Sequence, residues 1–337
     1  MHFLVVGGAG YIGSHMVKLL ILRGHNVTVF DNLSSGHRDS VLGGRFVLGD
    51  LADREAVATI FRENSFDGVM HFASHSQVAE STVSPAKYYR NNFVNTLNLL
   101  DTMVSSNVRR LVFSSTAAVF GEPLYIPIDE KHVKAPINPY GRTKWAVEQT
   151  LQDYGVAYGL SSVCLRYFNA AGADPEGELG ERHEPETHLI PLTLRAAAEG
   201  HAIKVFGRDY DTQDGTCVRD YVHVWDLCEA HSLAFEHLEK QCANLAYNLG
   251  NGEGYSVDEV IKSVRRVTKL PVSILDAPRR AGDPARLVAD SQRARAELNW
   301  RPRYFDLDTI VQHAWHWEMK KSRATDTTAA LAMHNAP

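Results

Sequence analysis

The sequence predicts an α/β protein: a doubly wound parallel sheet, with a smaller mixed α/β domain after it. In the first half, short apolar segments of strand length alternate with longer amphipathic stretches. That is the pattern of a parallel sheet covered on both faces by helices. Beyond about residue 170 the alternation weakens, and Gly, Pro and charged residues cluster over 172–185 as in a loop. These observations place one domain over 1–170, with some later segments able to return to it. A second domain follows over 171–320, and a flexible polar tail over 321–337.

The elements follow in order. Leu4–Val6 is the first strand, and helix-length sequence runs from about 11 to 23. Strands centred on Val27–Phe30 and Phe46–Leu48 come next, then a helix over 53–63 and a strand at Val69–Phe72. One long helix is expected over 85–106, a strand at Leu111–Ser114, a helix over 140–157 and a strand at Val163–Arg166. Asn138 can cap the helix at 140, and Pro139 suits its first turn. Later helices are expected near 189–200, 226–240, 256–268 and 290–298.

Composition narrows the function. The 337 residues are 44% hydrophobic and 22% charged, ordinary for a globular domain and unlike a disordered chain or a coiled coil. Net charge is −5, and the basic pairs Arg109-Arg110, Arg265-Arg266, Arg279-Arg280 and Lys320-Lys321 are scattered, so no nucleic-acid partner is expected. No apolar run approaches the roughly 18 residues of a membrane span. A strand that begins so near Met1 leaves no room for a targeting segment, so the expected location is cytoplasmic. Cys164, Cys217, Cys228 and Cys242 form no C-x-x-C pair and read as reduced thiols.

The first strand runs into Gly7-Gly8-Ala9-Gly10-Tyr11-Ile12-Gly13, which opens the first helix. Glycine lets the backbone approach a pyrophosphate closely, and the helix N-terminus offers free N–H donors. Asp31 ends the second strand, where an acid binds an adenosine ribose 2′-hydroxyl and would repel a 2′-phosphate. Strand, glycine loop, helix, strand and acid in this order point to a Rossmann-type sheet binding NAD rather than NADP.

Tyr140 and Lys144 are i and i+4 near a helix start and share a face. A phenol titrates near ~10, so a base at neutral pH needs about 4 kcal/mol of preferential phenolate stabilisation. A lysine ~5 Å away at an effective dielectric of ~20 supplies about 3 kcal/mol, and a positively charged nicotinamide ring could supply the rest. Thr116, at the end of the fifth strand, puts a hydroxyl where open parallel sheets bind ligands.

These motifs resemble the extended short-chain dehydrogenase/reductase family and, within it, the sugar-nucleotide 4-epimerases. The resemblance runs from about Phe3 to Trp317. It includes Phe30-Asp31-Asn32-Leu33, His71-Phe72-Ala73, Tyr88–Asn92, Arg166-Tyr167-Phe168-Asn169, Gly215–Asp226, Tyr247–Gly250 and Glu297–Trp300. It implies interconversion of UDP-glucose and UDP-galactose through a 4-keto sugar, with hydride transfer to and from bound NAD. Tyr140 would be the base, Thr116 would orient the sugar hydroxyl, and Lys144 would hold the nicotinamide ribose and tune Tyr140. Carried over by position, Gly7, Gly10, Tyr11, Ile12, Gly13, Asp31, Asn32, Asp50, Leu51, Phe72, Ala73, Asn91 and Phe168 would line the NAD site. Asn169, Leu189, Phe206, Arg219, Tyr221, Arg280 and Asp283 would hold the UDP-sugar, the arginines meeting its diphosphate. The resemblance also implies a homodimer through the helices near 85–106 and 140–157.

Some positions depart from that pattern. Thr116 stands where many members have Ser, Phe120 where Tyr is common, Ser74 and Ser76 where some have Gly and Lys, and His188 where many have Asn. Leu287 is intermediate between the large Tyr of narrow members and the small residue of broad ones. Family dehydratases carry Asp-Glu after the Thr; Ala117 and Ala118 here cannot do that acid–base work. A binding module without catalysis would have no need of Tyr140, Lys144 and Thr116 together. Of sixteen histidines, His183 and His188 lie near a loop and His313 and His316 are i and i+3. No Cys or acidic partner completes a familiar ligand pattern around them, so no metal site is expected.

Overall fold

The structure, a computed structural model, describes residues 1–280 and 283–334, with side chains described as far as 321. Its strands are β1 (His2–Val6), β2 (Asn26–Asp31), β3 (Arg45–Leu48), β4 (Gly68–His71), β5 (Arg110–Thr116), β6 (Ser161–Tyr167), β7 (Asn169–Ala171), β8 (Ala202–Phe206), β9 (Val218–Arg219), β10 (Tyr221–His223), β11 (Asn244–Leu249), β12 (Tyr255–Ser256), β13 (Ser273–Ala277) and β14 (Arg286–Leu287). Its α-helices are α1 (Tyr11–Leu22), α2 (Arg54–Glu63), α3 (Val78–Val83), α4 (Pro85–Tyr88), α5 (Asn95–Ser105), α6 (Pro139–Tyr158), α7 (Leu189–Glu199), α8 (Val224–Lys240), α9 (Val257–Thr268), α10 (Gln292–Glu297) and α11 (Leu307–His334).

Seven strands make one parallel sheet in the order β11-β6-β5-β4-β1-β2-β3. The two-residue period of a strand sends alternate side chains to opposite faces. Phe3 and Val5 join α1 and α8 through Met16, Leu20, Leu227 and Phe235. Leu4 and Val6 face the other way, onto α2, α5 and α6 through Ile60, Leu99, Met103 and Leu151. The expected Rossmann-type sheet is present. From β1 the chain winds outward through β2 and β3, then crosses back to β4 and continues to β5 and β6. The order therefore reverses between β1 and β4, and the crevice at their carboxyl ends is where such sheets bind ligands.

One expected helix is broken in the structure. The helix expected over 85–106 is broken into α4, a π-helical turn over Tyr89–Val94 and α5. The buried Asn92 amide lies in that turn and bonds both His75 backbone groups, N–H at 2.9 Å and C=O at 2.9 Å. The seventh strand, β11, comes from residues beyond 240 and pairs in parallel with β6. The mixed α/β region has its own core, in which Leu194 of α7, Val205 of β8, Val260 of α9 and Ile310 of α11 meet. In the stretch read as a tail, α11 continues to His334; 335–337 lie outside the described residues. Among the described residues no helix is long and apolar enough to cross a membrane.

Candidate functional site

The glycine loop sits at the sheet reversal. Gly7 has φ +79°, and a Cβ there would fall 2.4 Å from the Ala73 amide nitrogen. A Cβ on Gly13 would fall 2.1 Å from the Gly7 carbonyl oxygen. Any larger residue would fill this cradle. Gly10 begins α1 without a side-chain cap, so the first-turn N–H groups remain available to an anion. These features fit a dinucleotide pyrophosphate.

Around the loop the other candidate cofactor residues gather. Asp31 accepts from Ala9 N–H at 2.9 Å and Leu33 N–H at 2.8 Å, so one carboxylate fixes both the loop and the turn after β2. Asn32 donates to Asp50 at 2.8 Å. Leu51 is buried, and its carbonyl accepts from Asn98 at 2.9 Å. Phe72 and Ala73 follow β4 and donate their N–H groups to the Val6 carbonyl at 2.8 and 3.1 Å. Asn91 bonds Asn92 at 3.0 Å. Tyr11 donates to the Gly172 carbonyl at 2.7 Å, bringing the 172–185 segment onto the loop, and Ile12 packs against the core.

Thr116 ends β5 and Tyr140 stands in the first turn of α6. The predicted cap is present: Asn138 accepts from Gly141 N–H at 2.9 Å, with Pro139 at the first helical position. Burial pushes the Tyr140 phenol up from its ordinary value, and the Thr116 hydroxyl pulls the other way. Lys144 is buried, donates to the Ser114 carbonyl at 2.7 Å and lies 4.7 Å over the Phe113 ring. Burial brings its ammonium down to about 7, with Cys164 and Glu148 opposing. Burial raises Tyr140 and weakens the charge on Lys144 at once.

The candidate sugar-nucleotide residues form two pairs and a wall. Arg219 makes an ion pair with Asp283, and the Arg280 guanidinium lies 4.0 Å over the Phe206 ring. The neighbouring Asp220 has other partners. Asp220 is buried and accepts N–H bonds from Asn251, Gly252 and Ala289 at 2.7, 3.0 and 3.1 Å. Asn169 donates to the Asp220 carbonyl at 3.1 Å, Tyr221 is buried in β10, and Leu189 begins α7. Phe168 and Leu287 pack on one small cluster with Val119, Phe120 and Ile128.

Sequence reasoning missed several partners. Glu148 and Arg166 form a buried ion pair, and Ser115 donates to Glu148 at 2.5 Å. Glu148 stands one further helical step beyond Tyr140 and Lys144, and that spacing was the available signal. Asn92 also donates to Thr143 at 3.3 Å, joining the turn after β4 to α6. A π-helical turn has no such signal in a single sequence. His313 meets His223 at 3.0 Å, a contact between distant segments. The sequence reading found no acidic partner for His183 and His188, but the fold supplies two, Glu181 and Glu186. Desolvation opposes charge on the half-exposed His188, yet the two carboxylates outweigh it and hold the imidazole up at about 10.

Comparison with known proteins agrees with this geometry. The sequence signature of the NAD dependent epimerase/dehydratase family matches residues 3–250. A UDP-glucose 4-epimerase of Halalkalibacterium halodurans is 50% identical over 97% of this chain and 98% of its own length. One from Rhizobium meliloti is 48% identical over 96% and 98%. The crystal structure of UDP-glucose 4-epimerase from Brucella ovis in complex with NAD superposes with TM-score 0.91 at 49% identity, over 94% of this chain and 98% of that one. The Bifidobacterium longum enzyme in complex with NAD+ and UDP gives TM-score 0.90 at 37% identity, over 96% and 99%. With a glycine cradle at the sheet reversal and a tyrosine, a lysine and a hydroxyl beside it, the chain belongs to the NAD dependent epimerase/dehydratase family.

Proposed function

We propose that the protein interconverts UDP-glucose and UDP-galactose by inverting the sugar at C4, with NAD as its resident cofactor. The observation that carries this reading is the placement of Thr116 at the end of β5 and of Tyr140 and Lys144 in the first turns of α6, beside the glycine cradle. When bound, NAD accepts the hydride from sugar C4 and returns it to the opposite face. Tyr140 removes the proton from the 4-hydroxyl and gives it back. Thr116 orients that hydroxyl. Lys144 holds the nicotinamide ribose, with its Nζ fixed by Ser114. Asp31, Asn32 and Asp50 address the adenosine ribose side, where a carboxylate disfavours a 2′-phosphate. Arg219 and Arg280 meet the diphosphate, and Asn169, Leu189, Phe206, Tyr221 and Asp283 frame the nucleotide.

Ala117 and Ala118 form the short turn after Thr116, and their alkyl side chains supply no acid or base for a dehydratase. The proposed division is a cofactor domain over 1–170, rejoined by β11, and a substrate domain over 171–320. A homodimer through the helices near 85–106 and 140–157 is supported by Val94, Val156 and Tyr158, which stand exposed there. Cytoplasmic residence is supported by four cysteines kept as free thiols. The test is incubation of purified protein with UDP-galactose and no added NAD. UDP-glucose as product is expected; no product even with NAD supplied overturns the reading.

A further inference from the structure

The loop before α7 gathers four side chains that the epimerase reading leaves without a role. Glu181 Oε1 lies 3.0 Å from His183 Nδ1 and 2.5 Å from His188 Nδ1. Glu186 Oε1 lies 3.9 and 3.3 Å from the same two nitrogens. All four ligand atoms fall within 4.8 Å of one another. Donors around a tetrahedral zinc ion, at about 2.0–2.2 Å from the metal, stand roughly 3.3 Å apart. The observed separations straddle that value.

Glu186 is the more enclosed of the two carboxylates. The Glu186 side chain is only 2% exposed; its Oε1 faces the two imidazoles, while its Oε2 has no hydrogen bond and lies 3.8 Å from the Arg195 guanidinium. A buried carboxylate with an unused oxygen is costly unless a cation or donor meets it. The neighbouring acidic group is different. Asp174, Glu176 and Glu178 all converge on Lys18 Nζ at 2.9, 2.6 and 2.8 Å, so their cation is already part of the chain.

We propose that Glu181, His183, Glu186 and His188 bind one divalent transition-metal ion of the zinc class in a closed structural site. Two imidazoles and two carboxylates suit such an ion, and four protein ligands leave no open position for a reacting water. The surroundings supply the outer support that metal ligands need. Trp317 donates to the Glu181 carbonyl at 3.3 Å, and the Glu186 carboxylate accepts the N–H groups of Thr187 and His188 at 2.8 and 3.0 Å. The ion would clamp a loop lying between Tyr11, whose ring is 6.3 Å from that of His183, and Leu189 at the start of α7. It would thereby stiffen the wall between the candidate cofactor and sugar-nucleotide pockets. This site does not depend on which sugar the enzyme takes.

The test uses the full chain, stripped by a strong chelator and reconstituted with zinc chloride, with metal counted by mass spectrometry. About one tightly held zinc per chain is expected, with an X-ray absorption first shell of two imidazole nitrogens and two oxygens. His183→Gln and Glu186→Gln should each lower retained zinc by ~10-fold or more, and zinc should raise the melting temperature of the unmodified protein but not of these variants. Unmodified protein that retains no zinc, or a first shell lacking imidazole, overturns the proposal and leaves a histidine–carboxylate ion pair. Variants that retain zinc like the parent overturn it as well.

Discussion

Asp31, at the end of β2, accepts a hydrogen bond from the backbone amide of Ala9 at 2.9 Å, inside the glycine loop. The acid proposed to select the cofactor ribose therefore also holds the loop proposed to receive the pyrophosphate. Asp31→Ala removes an acceptor from a buried N–H, a loss of about 1–3 kcal/mol borne by the loop itself. The expected outcome is a protein that loses NAD on gel filtration while the parent keeps it. Equal cofactor content in both would contradict the assignment.

Tyr140→Phe removes the phenolic proton acceptor and keeps the ring. Turnover of UDP-galactose should fall by ~10²–10⁴, the usual range for general acid–base catalysis, with NAD still bound. Turnover like that of the parent would take Tyr140 out of the role.

Lys144 connects the site to stability. Burial brings its ammonium down to about 7 in the folded chain, against 10.5 for the ordinary group. Between those values the unfolded chain binds more protons, so stability rises with pH across that window. The cost of burying the charge is full below pH about 7. Lys144→Met abolishes this linkage. In cofactor-stripped protein the variant should gain stability relative to the parent at low pH, and the gap should narrow toward pH 10.5. Parallel urea-melt profiles for the two across that range would sink the argument.

Glu148→Ala leaves the Arg166 guanidinium buried and unpaired beside the Trp145 and Phe120 rings. Breaking such a pair costs about 3–5 kcal/mol, while replacing both partners by apolar residues costs less. Glu148→Ala should therefore unfold at clearly lower denaturant than Glu148→Leu/Arg166→Met. The reverse ranking would show that the pair is not what stabilises this region.

Much of the first half was legible in the sequence because its signals are local. The glycine loop, the Asn138 cap and the alternating apolar strands each declare themselves within a few residues. The partners that complete the site do not. Asn92 meets His75 and Thr143, Arg219 meets Asp283, and His183 meets Glu181 only after the loops close. The effect of burial on Tyr140 is hidden from the sequence for a similar reason. A Coulomb estimate between two side chains does not contain the burial of both, which raises the phenol and lowers the ammonium.

The pairing of β11 with β6 has a consequence for how the chain is made. Until residues 244–249 leave the ribosome, the hydrogen-bonding edge of β6, with Val163 and Leu165, has no neighbour on that side. At ~5–20 residues per second, the nascent sheet keeps this sticky margin open for roughly 4–16 seconds after β6 emerges. A truncated product ending near residue 170 would keep it open permanently. Such fragments should clump during translation or be captured by chaperones, whereas chains that reach β11 close the sheet on themselves.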